Sequence, residues 1–268
     1  MRGKKNAVFT QRYGPWALIA GASKGIGAAF AEELASRGVH LVLVARKRAD
    51  LEKFAKAVSV RFGVTTVTVV QDLAASEAAR RLMRELKRRE IGLVVYNAAL
   101  SFHGSFSDGT LDEQEELFTV NCRTPLALLR DAASRMTGRG RGGVILMSSL
   151  AGLQGGPFLS QYAASKAFLT ALAEGLWYEY RPKGVHILAC IAGATATPGF
   201  LETQLKRGMN RLVPVSRPRA VAKAALAALG KKGSVVSGGW NKLGAFFMSR
   251  FLSRRARVRL MGSLMRKE

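Results

Sequence analysis

Apolar residues along the chain gather in short unbroken runs separated by longer stretches of mixed polarity. Trp16–Ala20, Leu41–Val44, Val67–Val70, Leu93–Tyr96, Val144–Met147 and Val185–Cys190 are rich in Val, Ile and Leu and too short for helices. They lack polar alternation, which predicts strands buried on both faces. The stretches between them predict helices at Ala28 to Arg37 (stopped by Gly38), Ala49 to Phe62, Ser76 to Arg89, Leu111 to Met136 and Ser160 to Tyr180. Val235-Val236 reads as a last strand. Strands alternating with helices of this length make a parallel sheet, and right-handed crossovers make it doubly wound. The fold class is therefore α/β: three layers, a doubly wound parallel sheet with helices on both faces. No linker or repeat interrupts residues 1–240, which read as one domain, and 241–268 read as a C-terminal extension.

Composition narrows the chemistry. With 268 residues, 48% of them hydrophobic, the chain can bury a full core, which excludes disorder. Its two cysteines, Cys122 and Cys190, exclude a disulfide framework, and its three histidines show no ligand spacing, so no metal site is expected. No apolar run reaches the roughly 18 residues of a membrane span. Met1 to Tyr13 is basic without the apolar centre of a secretion signal, so a cytoplasmic protein is expected. The formal charge is +24 and uneven: residues 203–268 hold 16 basic side chains and a single acid, Glu268. Such a segment points to a polyanionic neighbour or to an arginine-rich host proteome.

Between the first strand and first helix lies Gly21-Ala22-Ser23-Lys24-Gly25-Ile26-Gly27. Glycines here let the backbone turn tightly and approach a pyrophosphate, whose charge the following helix N-terminus stabilises. The position between strand and helix is the one a Rossmann-type dinucleotide site requires, and it makes Gly21, Ser23, Lys24, Gly25, Ile26 and Gly27 cofactor-binding candidates. A free ribose 2′-hydroxyl is ordinarily held by a carboxylate at the end of the second strand. This chain has Arg46-Lys47-Arg48 there and no acid before Asp50. Arg46 can pair with a 2′-phosphate, and Lys24 can add charge, so NADP(H) is favoured over NAD(H). The alternative is that these are solvated loop charges.

Tyr162-Ala-Ala-Ser-Lys166 puts a phenol and an ammonium on one helix face. A tyrosine with a pKa of about 10 is a poor proton donor or acceptor near neutrality. A neighbouring cation is expected to lower that value. Met147-Ser148-Ser149 ends a strand and brings hydroxyls to the carboxyl edge, where ligands of open α/β sheets bind.

Together these residues resemble the short-chain dehydrogenase/reductase family from about Trp16 to Thr197. The resemblance matches Gly21, Gly25 and Gly27 to the glycine motif, Asp72 to the acid at the adenine, and Asn97 to the motif after the fourth strand. It matches Asn121, Ser149, Tyr162 and Lys166 to the catalytic tetrad, and Thr197 to the nicotinamide carboxamide contact. Ser149 is chosen over Ser148 because it stands thirteen residues before Tyr162. By resemblance, Tyr162 is the general acid/base of hydride transfer between a ketone and a secondary alcohol, and Ser149 binds the substrate oxygen. Lys166 holds the nicotinamide ribose and lowers the tyrosine pKa, while Asn121 positions a water. Three positions depart from the pattern: Ala20 replaces a threonine, Ala99 a glycine and Ala192 a proline. All three touch the cofactor loops.

Tyr13-Gly-Pro-Trp16-Ala17 and Glu90-Ile-Gly-Leu-Val-Val-Tyr96 are similar to the branch of 17β-hydroxysteroid dehydrogenases and very-long-chain 3-oxoacyl-CoA reductases. That similarity implies a lipophilic carbonyl or alcohol substrate. A substrate lid is expected at about 198–215, with Phe200, Leu201, Leu205, Met209 and Leu212 against the ligand or packed in a lid helix. His103 is a candidate substrate contact, His40 and His186 read as packed or surface histidines, and Cys122 reads as a small buried residue. In the tail, Leu243, Phe247, Phe251 and Leu252 recur at helical spacing beside Lys242, Arg250, Arg254, Arg255 and Arg257. This fits a helix on an anionic membrane surface, on its own fold or on a partner subunit. Nucleic acid is disfavoured because no recognition motif accompanies the charge. Family analogy implies a homodimer or homotetramer, with any membrane contact peripheral and on the inner face. A non-catalytic NADP(H)-binding sensor on the same fold is the alternative function.

Overall fold

The computed structural model describes residues 2–201 and 215–265. The apolar runs form β1 (Trp16–Ala20), β2 (His40–Ala45), β3 (Thr66–Val70), β4 (Ile91–Tyr96), β5 (Gly142–Ser149), β6 (Val185–Ala192) and β7 (Ser234–Val236). They make one parallel sheet in the order β3-β2-β1-β4-β5-β6-β7. The direction of winding reverses between β1 and β4, which opens a crevice at their carboxyl ends.

Side chains alternate between the two faces. Ile19, Leu43, Val95 and Ile145 pack with Phe30 and Leu34 of α2 (Gly25–Ala35), Leu51 of α3 (Arg48–Phe62) and Val221 of α8 (Pro218–Ala228). Leu18, Val44, Val94 and Leu146 pack with Leu82 of α4 (Ala78–Arg88), Leu128 of α6 (Thr124–Gly138) and Leu169 of α7 (Ser160–Tyr180). Each such side chain contributes about 1.5–3 kcal/mol on leaving water. Burial on both sides is why the strands read as continuous apolar runs.

Four elements differ from the sequence reading. Residues 111–136 do not form one helix: α5 (Leu111–Phe118) is capped by a reciprocal Thr110–Glu113 pair and passes through a π turn at Thr119–Arg123 into α6. The Thr124 amide bonds the carbonyl of Thr119, five residues back, and Pro125 has no N–H to restore the ordinary ladder. The basic N-terminal stretch forms α1 (Arg2–Tyr13), anchored by Tyr13, whose hydroxyl meets His186 Nδ1 at 2.6 Å. The Ala-rich stretch after Pro218 forms α8. The tail forms two helices, α9 (Gly239–Phe251) and α10 (Arg254–Met265). Most of the expected lid, with Leu205, Met209 and Leu212, lies outside the described residues.

Candidate active site

The carboxyl ends of β1, β4, β5 and β6 converge on a cleft of about 1960 Å³. At its nucleotide end the Asn97 Nδ2 donates to the carbonyl of Gly21 at 2.9 Å, bracing the glycine turn. The amides of Asn97 and Ala98 both donate to Ala20 O, so β4 supports the turn without the family's threonine hydroxyl. A Cβ on Gly27 would stand 1.9 Å from Gly21 O and 2.8 Å from Asn97 Nδ2, so no other residue fits. Gly25 has φ of +60°, and a side chain there would meet the Thr197 methyl at 2.8 Å. Ile26 of this turn lines the cleft, and the bare glycine backbone around it fits a dinucleotide pyrophosphate.

The charged candidates lie further out. Lys24 pairs with Asp50 at 2.9 Å, and that pairing holds the Asp50 carboxyl below its usual range. Arg48 pairs with Glu52 at 3.1 Å. Arg46 is exposed, and no ion pair engages it among the described residues. Asp72 is exposed and accepts the Ala74 amide at 3.0 Å. Ser23 sits half-buried in the turn.

At the reaction end, α7 carries Tyr162 and Lys166 one turn apart beside Ser149 at the end of β5. Tyr162 and Ser149 both line the cleft, and the Ser149 side chain favours the Tyr162 phenolate. Ser148 faces the other way, its Oγ donating to Lys166 O at 2.8 Å and meeting Thr170 Oγ1 at 2.7 Å. This separates the two serines that sequence spacing alone had to choose between. Lys166 is fully enclosed, and its Nζ donates to Met147 O at 2.9 Å and lies 5.4 Å from the Tyr162 ring centroid. Burial lowers the lysine to about 8.

In the chain alone burial raises the Tyr162 phenol above its ordinary value, and the Ser149 side chain pulls it partway back. Asn121 sits in the π turn, wholly buried. Its Oδ1 accepts from Leu100 N at 2.8 Å, and its Nδ2 donates to Leu100 O at 2.8 Å and to Ser165 Oγ at 3.0 Å. Ser165 in turn donates to Tyr162 O at 2.7 Å. The Asn121 side chain thus ties the α7 turn that bears Tyr162 to the loop after β4.

Thr197 Oγ1 accepts the Phe200 amide at 3.3 Å, and both residues line the cleft. His103 lines it too. His40 accepts the Thr65 amide and packs on Trp16, so it and His186 serve the fold. Cys122 is buried, which pushes its thiol up to about 11.

Sequence reading missed the contribution of the tail. Asn241, at the start of α9, is buried against Gly193 and donates to Ser237 O at 2.9 Å. A Cβ on Gly193 would come within 2.4 Å of its Nδ2. Phe247 of α9 and Met261 of α10 line the cleft. Val258 and Gly262 of α10 pack on Gly155 and Pro157, in the connection between β5 and α7. The described tail thus touches its own fold through Asn241, Val258 and Gly262, while Trp240, Phe246 and Phe251 stay exposed. Among the described residues no helix is long and apolar enough to cross a membrane.

This sheet, glycine cradle and serine–tyrosine–lysine cluster are those of a short-chain dehydrogenase, and residues 15–208 match that family. The chain belongs to it, a family of oxidoreductases acting on CH–OH groups. It is 34% identical over 234 residues to a 7β-hydroxysteroid dehydrogenase of Clostridium sardiniense, covering 87% of this chain and 89% of that one. It is 30% identical to a very-long-chain 3-oxoacyl-CoA reductase of Phaeosphaeria nodorum, covering 96% and 77%. A solved 7β-hydroxysteroid dehydrogenase superposes with a TM-score of 0.87 at 29% identity, covering 94% and 98%. A short-chain dehydrogenase of Sphingobium yanoikuyae in complex with NADPH gives 0.76 at 30% identity, covering 88% and 93%.

Proposed function

We propose that this protein is an NADPH-dependent oxidoreductase interconverting a ketone and a secondary alcohol on a lipophilic, acyl or steroid-like substrate. The observation that carries the reading is that Ser149, Tyr162 and Lys166 line one cleft walled by Leu153, Leu159, Phe247 and Met261. The nicotinamide cofactor, when bound, supplies or takes the hydride. Ser149 and Tyr162 together hydrogen-bond the substrate oxygen and stabilise the developing alkoxide. In reduction Tyr162 gives its proton to that oxygen, and in oxidation the phenolate takes one. Its raised pKa keeps it in the donor form at neutral pH. Lys166 holds the nicotinamide ribose, and Thr197 meets the carboxamide. Asn121 positions Tyr162 through Ser165, Asp72 faces the adenine, and Arg46 takes the 2′-phosphate.

NADPH oxidation over a panel of ketones and 3-oxoacyl thioesters tests this reading. Wild type should turn over at least one class, and Tyr162→Phe should lose that turnover while still binding NADPH. Equal inactivity of both proteins with NADPH bound would instead make the chain a cofactor sensor. Arg46→Ala should weaken NADPH much more than NADH, and equal weakening overturns the cofactor assignment.

The reading extends to a homo-oligomer and to peripheral contact with an anionic membrane on its cytoplasmic face. α9 presents Trp240, Phe246 and Phe251 to solvent beside Lys242 and Arg250, which supports that contact. Flotation with anionic vesicles should carry the protein up, and Trp240→Ala with Lys242→Ala should abolish it. Light scattering gives the subunit number.

A further inference from the structure

The cleft contains a cation that the known chemistry does not use. Arg257, Met261 and Met265 recur every fourth residue on α10 and form one stripe that lines the cleft. The next positions round, Val258 and Gly262, press on Gly155 and Pro157 and fix that stripe in place. The Nε of Arg257 is shut off from solvent and meets no hydrogen-bond partner. No ion pair engages its guanidinium among the described residues, and residues 203–267 contain no acid. The described residues lining the cleft include four cations, Lys166, Lys232, Lys242 and Arg257, and no aspartate or glutamate.

A buried donor on a cation is costly to leave unmade, and native structures satisfy nearly all such groups. Here the described residues offer the Arg257 Nε no partner. Guanidinium matches a carboxylate in geometry, with two parallel N–H donors. The remaining walls are apolar side chains that suit a hydrocarbon body.

We infer that Arg257 is the anion anchor of the substrate site. The substrate is a lipophilic ketone carrying a carboxylate, the acid held by α10 and the carbonyl presented to Ser149 and Tyr162. This rests on the reading of the cleft as a ketone-reducing site and adds what that reading leaves open, the charge of the substrate. Specificity then divides between the two ends of the cleft. The β5–α7 end recognises the oxygen that reacts, and the tail recognises the group that does not.

The test compares a keto-steroid bearing a side-chain carboxylate with its methyl ester, in wild type, Arg257→Gln and Arg257→Lys. Wild type should prefer the acid in kcat/KM. Arg257→Gln should cut that preference by about 10–100-fold, mostly through KM, and Arg257→Lys should restore part of it. A preference that survives in Arg257→Gln, or is absent from wild type while both compounds turn over, overturns the anchor. Calorimetric titration of the keto acid in the presence of NADP⁺, which cannot reduce it, separates the two readings. Binding that depends on Arg257 without turnover by NADPH would retain the anchor and sink the reductase. Turnover without dependence on Arg257 would do the reverse.

Discussion

The ammonium of Lys166 donates to the carbonyl of Met147 at 2.9 Å, on the strand that ends in Ser149, and does not rest on the Tyr162 hydroxyl. The protein alone therefore keeps its phenol protonated, raised by burial and restrained only by Ser149. A donor of this kind is ready for carbonyl reduction at neutral pH. Alcohol oxidation needs the phenolate, so its rate should climb with pH by up to about tenfold per unit below the phenol pKa. Initial rates in both directions between pH 6 and 10 measure this. An oxidation rate flat across that range would show that the phenol is not the base.

Enclosing Lys166 also affects stability. Its folded pKa of about 8 lies below the unfolded value of 10.5, so between those values the unfolded chain binds more protons. Stability from this group is therefore lowest below pH 8 and recovers as pH rises towards 10.5. Relative to Lys166→Met, wild type should gain on the order of 3 kcal/mol across that window. Urea unfolding of both proteins at pH 7.5 and 9.5 reads the difference, and its sign is the test.

Asn121 satisfies both backbone groups of Leu100. Asn121→Ala strands these part-buried groups and should cost about 1–2 kcal/mol in chemical denaturation. Because Ser165 loses its partner too, kcat should fall while the Kd for NADPH holds. Asn121→Asp keeps the acceptor for the Leu100 amide and should be the milder change.

The cradle has no spare volume at Gly27. Gly27→Ala forces the new methyl against backbone, which should remove about 1–3 kcal/mol of stability and most NADPH binding. Fluorescence titration with NADPH measures the second effect. If binding persists, the cofactor does not lie along this turn.

Gly193→Ala places a methyl against Asn241 and should break its bond to Ser237 O, at a cost of about 1 kcal/mol. Limited proteolysis should then cut between Ser237 and Trp240 while the sheet stays intact.

The strands were legible because a sheet covered on both sides writes itself as unbroken Val, Ile and Leu. The cluster was legible because the glycine turn, Ser149, Tyr162 and Lys166 each lie at a junction of strand and helix. The π turn was not, since residues 111–136 keep a helical pattern through it, and its one local sign is Pro125, whose missing N–H gives no warning of an inserted residue. α1 carries too many charges to read as an apolar face, although Tyr13 and His186 pin it to the sheet. The contacts of the tail were beyond reach because Asn241 on Gly193 and Val258 on Gly155 join residues far apart in sequence. The burial of Tyr162 was not legible for the same reason, since it comes from the whole fold.

One wall of the cleft comes from α9 and α10, whereas the residues proposed to handle the hydride precede residue 200. Mutations can remodel that wall without touching the proton donor or the dinucleotide cradle. Grafting α9 and α10 from a relative of different taste onto this sheet should move the choice of ketone and leave the choice of coenzyme where it was.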